Sequence, residues 1–137
     1  ERTNIRYLTP EKLYGPNDTW ADFAVADLSF ISLTLVIPVI KSLLKGSDYQ
    51  ALLLIKPQFE VGREKVGKGG VVREEVAHIY ALNKVIDFSV RHGWKVKGLI
   101  PSPITGPAGN HEYLLWLGLD GFKSWPEMKS IVQKVLS

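Results

Sequence analysis

Residues 50–55, QALLLI, constrain the fold of this chain more than any other stretch. The run has the length of a strand, not of a stable helix, and it is apolar at odd and even positions alike. A strand with two apolar faces belongs in the middle of a parallel sheet covered by helices. Residues 23–28, FAVADL, read as a second buried strand ending in an acid. Between them, residues 32–45 repeat as a helix with Leu33, Val36, Ile37, Ile40, Leu43 and Leu44 on one side. Ser32 is its N-cap and Gly46 its end. Pro38 either kinks this helix or marks a late start.

The pattern continues through a polar, Gly-rich loop over 56–73 into the longest helix, 74–92. Its mostly apolar stripe runs through Val76, Ile79, Tyr80, Asn83, Val85, Ile86 and Val90, and Gly93 closes it. Strands follow at 94–100 and 112–119, with a loop at 101–111, and a short helix at 125–136 opens on Trp125, Pro126 and Glu127. Strand–helix alternation predicts an α/β fold with a parallel sheet. The last two strands have no helix between them, so one antiparallel strand is expected at an edge.

Bulk properties exclude several classes. The chain has 137 residues, 45% hydrophobic and 23% charged, which is enough for one core and argues against disorder and coiled coils. A net charge of +3 permits an anionic partner without demanding one. There is no cysteine, which removes disulfides, thiolate metal sites and Cys catalysis and fits a reducing cytoplasmic setting. His78, His92 and His111 lack ligand spacing, so no metal site is expected. The charged N-terminus is not a signal peptide, and no apolar run nears the ~20 residues of a membrane span.

Parallel sheets bind ligands beyond the carboxyl ends of their strands. Asp27 ends the first strand and Lys56 the central one, while Glu112 heads the antiparallel strand and falls on the same edge. Singly, each has an ordinary reading: a turn-capping aspartate, a solvated lysine, a rim glutamate. Their common placement favours a site. Pro57 holds Lys56 extended, and the Pro- and Gly-rich loop 102–112 leads directly into Glu112. The cluster VGKGGVV reads as a mobile loop ahead of a phosphate cradle. Arg63, Lys65, Lys68 and Arg73 are either a solvated run or a phosphate-contacting lid for RNA.

ERTNIRYLTPE, ADLSFISL, LLIKPQFEVGRE, KGGVVR and SPITGPAGNHEYLLWL, in this order, resemble the hemolysin-A-like branch of the FtsJ/RrmJ RNA methyltransferases. The resemblance covers nearly the whole chain. It implies the C-terminal half of a Rossmann-like methyltransferase sheet, and methylation of a ribosomal RNA ribose 2′-hydroxyl by S-adenosylmethionine, with ribosomal RNA or a ribosomal subunit as partner. Of the family's Lys-Asp-Lys-Glu tetrad, the Asp falls on Asp27, the second Lys on Lys56 and the Glu on Glu112. The first Lys, the Gly-rich cofactor motif and an S4-type RNA-binding domain lie ahead of the ERTN segment in the family, so residues 1–137 are expected to be a partial domain, inactive alone. Asp27 and Leu28, with Asn4, are the implied cofactor contacts. A ribose hydroxyl is a poor nucleophile; an amine beside it orients it or takes its proton, and carboxylates hold the amine in place. Two other functions compete: a non-catalytic RNA-binding module using loop 63–73, and a membrane-active hemolysin. The second is disfavoured because helix 32–45 lacks a cationic face.

Overall fold

A computed structural model describes residues 3–121 and 125–137, with no side-chain description for 125–127. Glu1 and Arg2 of the ERTN segment, and the side chains expected to open the last helix, lie outside the described residues. Four strands, β1 (Phe23–Ala26), β2 (Gln50–Ile55), β3 (Lys95–Pro101) and β4 (Tyr113–Gly118), form one sheet in the order β1-β2-β4-β3. β1 and β2 are parallel, with Ala26 beside Leu53. β4 runs antiparallel to both of its neighbours.

The antiparallel strand therefore exists, but it sits one place in from the edge predicted for it, and β3 holds that edge. The residues explain the exchange. β3 carries Lys95, Lys97, a register shift between Val96 and Gly98, and Pro101. Charges, bulges and proline are tolerated on an edge strand and not in the middle of a ladder.

The helices are α1 (Pro10–Tyr14), α2 (Ile37–Ser42), α3 (Glu75–Arg91) and α4 (Trp125–Leu136). α1 is absent from the sequence reading; Thr9 caps it by accepting the Lys12 N–H at 3.3 Å. The helix expected over 32–45 is split into a 3-10 turn, Leu33–Leu35, and α2. Pro38 decides the matter: it lacks an N–H and is accommodated in the first turn of α2, so it marks a late start. Ser32 does cap the 3-10 turn. α3 is rotated relative to the expected stripe. Ala77, Ala81, Leu82, Val85, Ile86 and Ser89 are buried, while Val76 and Tyr80 face solvent. Small residues let the helix approach the sheet closely, which a reading weighted by bulk overlooks.

One face of the sheet, with Leu53 and Ile55 of β2 and Leu115 and Leu117 of β4, forms the core with residues of α2, α3 and α4. The other face is also apolar but less covered: Leu52, Leu54 and Leu114 are half-buried, and Phe23, Ile100 and Trp116 are exposed. The two-sided cover predicted for 50–55 is thus met by helices on one side. Because β4 runs against β2, Ile55 pairs with Tyr113. Lys56 and Glu112, the next residues outward, consequently share one rim of the sheet with Asp27.

Candidate active site

At that rim the Lys56 ammonium lies 2.5 Å from Asp27 Oδ1 and donates to Ser29 Oγ at 3.1 Å. The Lys56 side chain is only 12% exposed and Asp27 is 68% exposed. Water competes for so open a carboxylate, so the pair contributes at most about 1 kcal/mol to stability and acts mainly to aim the amine. Lys56 is extended (φ −114°, ψ 101°), as the following Pro57 requires.

Glu112 is buried and reaches the same rim by a different contact. Its Oε2 accepts a hydrogen bond from Gln58 Nε2 at 3.1 Å, two residues beyond Lys56. Glu112 makes no ion pair with Lys56 among the described residues. Of the three expected residues, then, Asp27 and Lys56 touch, while Glu112 bonds to Gln58, two residues along the chain from Lys56. Gly106 allows this packing: a Cβ there would stand 2.7 Å from Glu112 Oε2. Gln58 Oε1 is buried with no hydrogen-bond partner among the described residues. Gln58 could have been suspected from its place in KPQFE; nothing in its residue type marks it.

Two further residues escaped the sequence reading. Glu60, 4% exposed, accepts from Ser32 Oγ at 2.6 Å and from the Leu33 N–H at 2.7 Å, and Lys84 Nζ lies 3.3 Å from its Oε2. It fastens the turn after Asp27 to the turn after Lys56. Phe30, three residues beyond Asp27, has φ 63° and is 89% exposed, with its ring 4.9 Å from that of Phe59. A bulky residue in the left-handed region is strained, and here its ring is presented to solvent beside the rim.

A cleft of about 350 Å³ runs along β1 and is lined by Ile5, Tyr14, Asp27, Leu28 and Ile40 among others. Its apolar walls and the Asp27 carboxylate suit an adenine ring and a sulfonium, and among the described residues no Lys or Arg lines it to meet a cofactor carboxylate. The residues present fit one side of S-adenosylmethionine. Asp27 and Leu28 line the cleft; Asn4 does not, and its Oδ1 caps the turn Ile5–Tyr7 by accepting the Arg6 N–H at 3.0 Å.

Of the basic residues, Arg63 and Lys65 lie exposed in a 3-10 turn, and Lys68 and Arg73 belong to a separate loop. Arg73 is turned inward upon its own loop, donating to Lys68 O at 3.0 Å. That loop, read above as mobile, is tied down. Asn110 Oδ1 accepts the Val72 N–H and Asn110 Nδ2 donates to Gly70 O, each at 2.8 Å. Among the described residues no cluster of His, Asp and Glu could hold a metal, and no helix is long and apolar enough to cross a membrane.

Residues 1–119 match the family described as FtsJ-like methyltransferase. The chain is 50% identical over 122 residues to YqxC of Bacillus subtilis, provisionally named an rRNA methyltransferase, covering 88% of this chain and 42% of that protein. It is 44% identical over 117 residues to the 16S/23S rRNA (cytidine-2′-O)-methyltransferase TlyA of Mycobacterium tuberculosis, covering 85% of this chain and 42% of TlyA. A solved structure from Streptococcus thermophilus, provisionally named a hemolysin, superposes with a TM-score of 0.84 at 39% identity over 98% of this chain and 48% of that one. The chain spans less than half the length of each of these proteins.

Proposed function

Because the chain belongs to the FtsJ-like methyltransferase family, we propose that the protein carrying it methylates a ribose 2′-hydroxyl of ribosomal RNA. The observation that carries this reading is the Lys56–Asp27 pair at the sheet rim, with Glu112 on the same rim by the register of β4 against β2. In this reading the residues 1–137 are the C-terminal part of the catalytic domain, and the rest of the cofactor site and the S4-type domain lie elsewhere in the protein. Their 42% coverage of YqxC and TlyA supports that.

S-adenosylmethionine supplies an electrophilic methyl on a positively charged sulfur. Asp27 and Leu28 wall the cleft that receives it, and the Asp27 carboxylate favours that charge. Held by Asp27, the Lys56 amine donates to the ribose oxygen and turns a lone pair toward the methyl. Held against Asp27 and Leu28, the cofactor would supply its methyl to that oxygen in exchange for the hydroxyl proton, which would leave to water. Such a reaction draws most of its rate from alignment, so a rigidly held amine is what the site must provide. The Phe30 ring offers a stacking surface for a base. Arg63, Lys65 and Lys68 supply phosphate contacts.

The test is product analysis with the whole protein, labelled S-adenosylmethionine and ribosomal RNA. Label in an alkali-resistant dinucleotide means ribose methylation and is the expected result. Label released as a base-methylated mononucleotide would reject the reading.

A further inference from the structure

Loop 67–73 has the composition of a flexible segment, with three glycines and two cations, yet it is braced from three sides. Asn110 is 1% exposed and spends its whole carboxamide on the loop: it donates to Gly70 O and accepts from the Val72 N–H. The carbonyl of that same Val72 lies 2.8 Å from His78 Nε2, and His78 Nδ1 lies 2.8 Å from the Tyr113 hydroxyl. A carbonyl can only accept, so Nε2 carries the hydrogen, and a neutral ring then accepts from Tyr113 through Nδ1. From within, Arg73 donates to Lys68 O and packs on Gly67, where a Cβ would stand 2.6 Å from Nη1. Gly69 and Gly70, with φ of 76° and 78°, turn the chain so that Lys68 stands exposed. Two of the bracing residues, Asn110 and Tyr113, flank Glu112 in sequence.

A buried amide that satisfies two groups of an exposed loop does little for the core. What it fixes is where the loop stands relative to Glu112. We propose that Asn110 is a positioning residue: it holds loop 67–73 as a preformed contact for an RNA phosphate, in fixed register with the catalytic rim. This rests on the RNA-modifying function proposed above. The physical gain is that Lys68 meets a phosphate from a backbone already ordered, so binding loses less conformational entropy.

The test uses the whole protein and a fluorescein-labelled ribosomal RNA hairpin, with Kd measured across a salt series. Each phosphate contact adds close to one unit to the slope of log Kd against log salt, which is about five-fold in Kd at ~0.15 M salt. Lys68→Ala is expected to lower the slope by about one. Asn110→Ala is expected to do the same, and Lys68→Ala to add little in the Asn110→Ala background, since neighbours in one device are not additive. Should Asn110→Ala fail to fold, Gly70→Ala serves: its Cβ meets nothing, but alanine is strained at that φ, so it disturbs the loop from outside. It too should lose about one unit of slope. A purely structural Asn110 would lower the melting temperature and leave the slope alone. If Lys68→Ala lowers the slope while Asn110→Ala, or Gly70→Ala in its place, does not, the positioning role is overturned and the RNA function stands. If the wild-type protein shows no salt-dependent affinity for the hairpin, the RNA function itself fails, and this inference with it.

Discussion

Replacing Glu60 should unfasten the two turns that carry Asp27 and Lys56, and the contacts set the size of the effect. The buried carboxylate accepts two short hydrogen bonds, from Ser32 Oγ and the Leu33 N–H, at 2.6 and 2.7 Å. Hydrogen bonds to a charged group contribute roughly 1.5–3 kcal/mol each. Lys84, 31% exposed and 3.3 Å away, rehydrates when its partner goes, so that pair adds less than about 1 kcal/mol. Relief of the carboxylate's own desolvation works in the opposite direction. The balance for Glu60→Ala is a loss of about 3 kcal/mol, near the lower end for breaking a buried polar cluster. Glu60→Gln keeps an oxygen for the Leu33 N–H and should cost about half that. Urea unfolding followed by tryptophan fluorescence reads both, and for Glu60→Ala the melting temperature should fall by roughly 10 °C. A Glu60→Ala midpoint within about 0.5 kcal/mol of wild type would refute the fastening role.

Three other outcomes follow from single contacts. Burial, and secondarily the charge of Glu75, raises the Tyr113 hydroxyl above its ordinary 10.0. The fold thus favours the protonated phenol, and its contribution is complete below pH 10.0 and lost as the pH climbs toward the folded value. Urea midpoints measured on either side of pH 10.0 should show this alkaline decline in wild type and a weaker one in Tyr113→Phe. Phe30→Gly relieves a left-handed φ worth about 1–2 kcal/mol and forfeits a ring contact worth about 0.5–1.5, so stability should move by less than ~1 kcal/mol. RNA affinity should nevertheless drop five-fold or more, by the ~1–3 kcal/mol of a lost base stack, and unchanged affinity would remove Phe30 from the interface. Gly106→Ala drives a methyl to 2.7 Å from Glu112 Oε2. It should cost about 1–3 kcal/mol and depress methyl transfer, whereas a fully active variant would show that the position of Glu112 is unimportant.

The strands and the rim were legible because they depend on local pattern. QALLLI could only be an inner strand, and placing Asp27, Lys56 and Glu112 on one edge needs only the alternation of elements and one antiparallel strand. Pro38 left two outcomes open, and either is chemically sound until the first turn of α2 is located. The α3 stripe was misplaced because Ala77, Ala81 and Ser89 carry no hydrophobic signal, although small size is what lets them face the sheet. The polar fastenings were invisible for a different reason. Glu60 to Leu33, Asn110 to Val72 and Tyr113 to His78 join residues 27, 38 and 35 positions apart. A glutamate, an asparagine and a histidine in loops or on a helix read as solvated until the fold brings their partners to them.

The role of the Lys56 amine is tested most directly by single-turnover methyl transfer with Lys56→Ala in the whole protein, alongside separate titrations of S-adenosylmethionine and RNA. Expected is a transfer rate at least 100-fold lower, about 3 kcal/mol of lost alignment, with both affinities within a few-fold of wild type. A rate close to wild type would contradict any part for Lys56 in the chemistry.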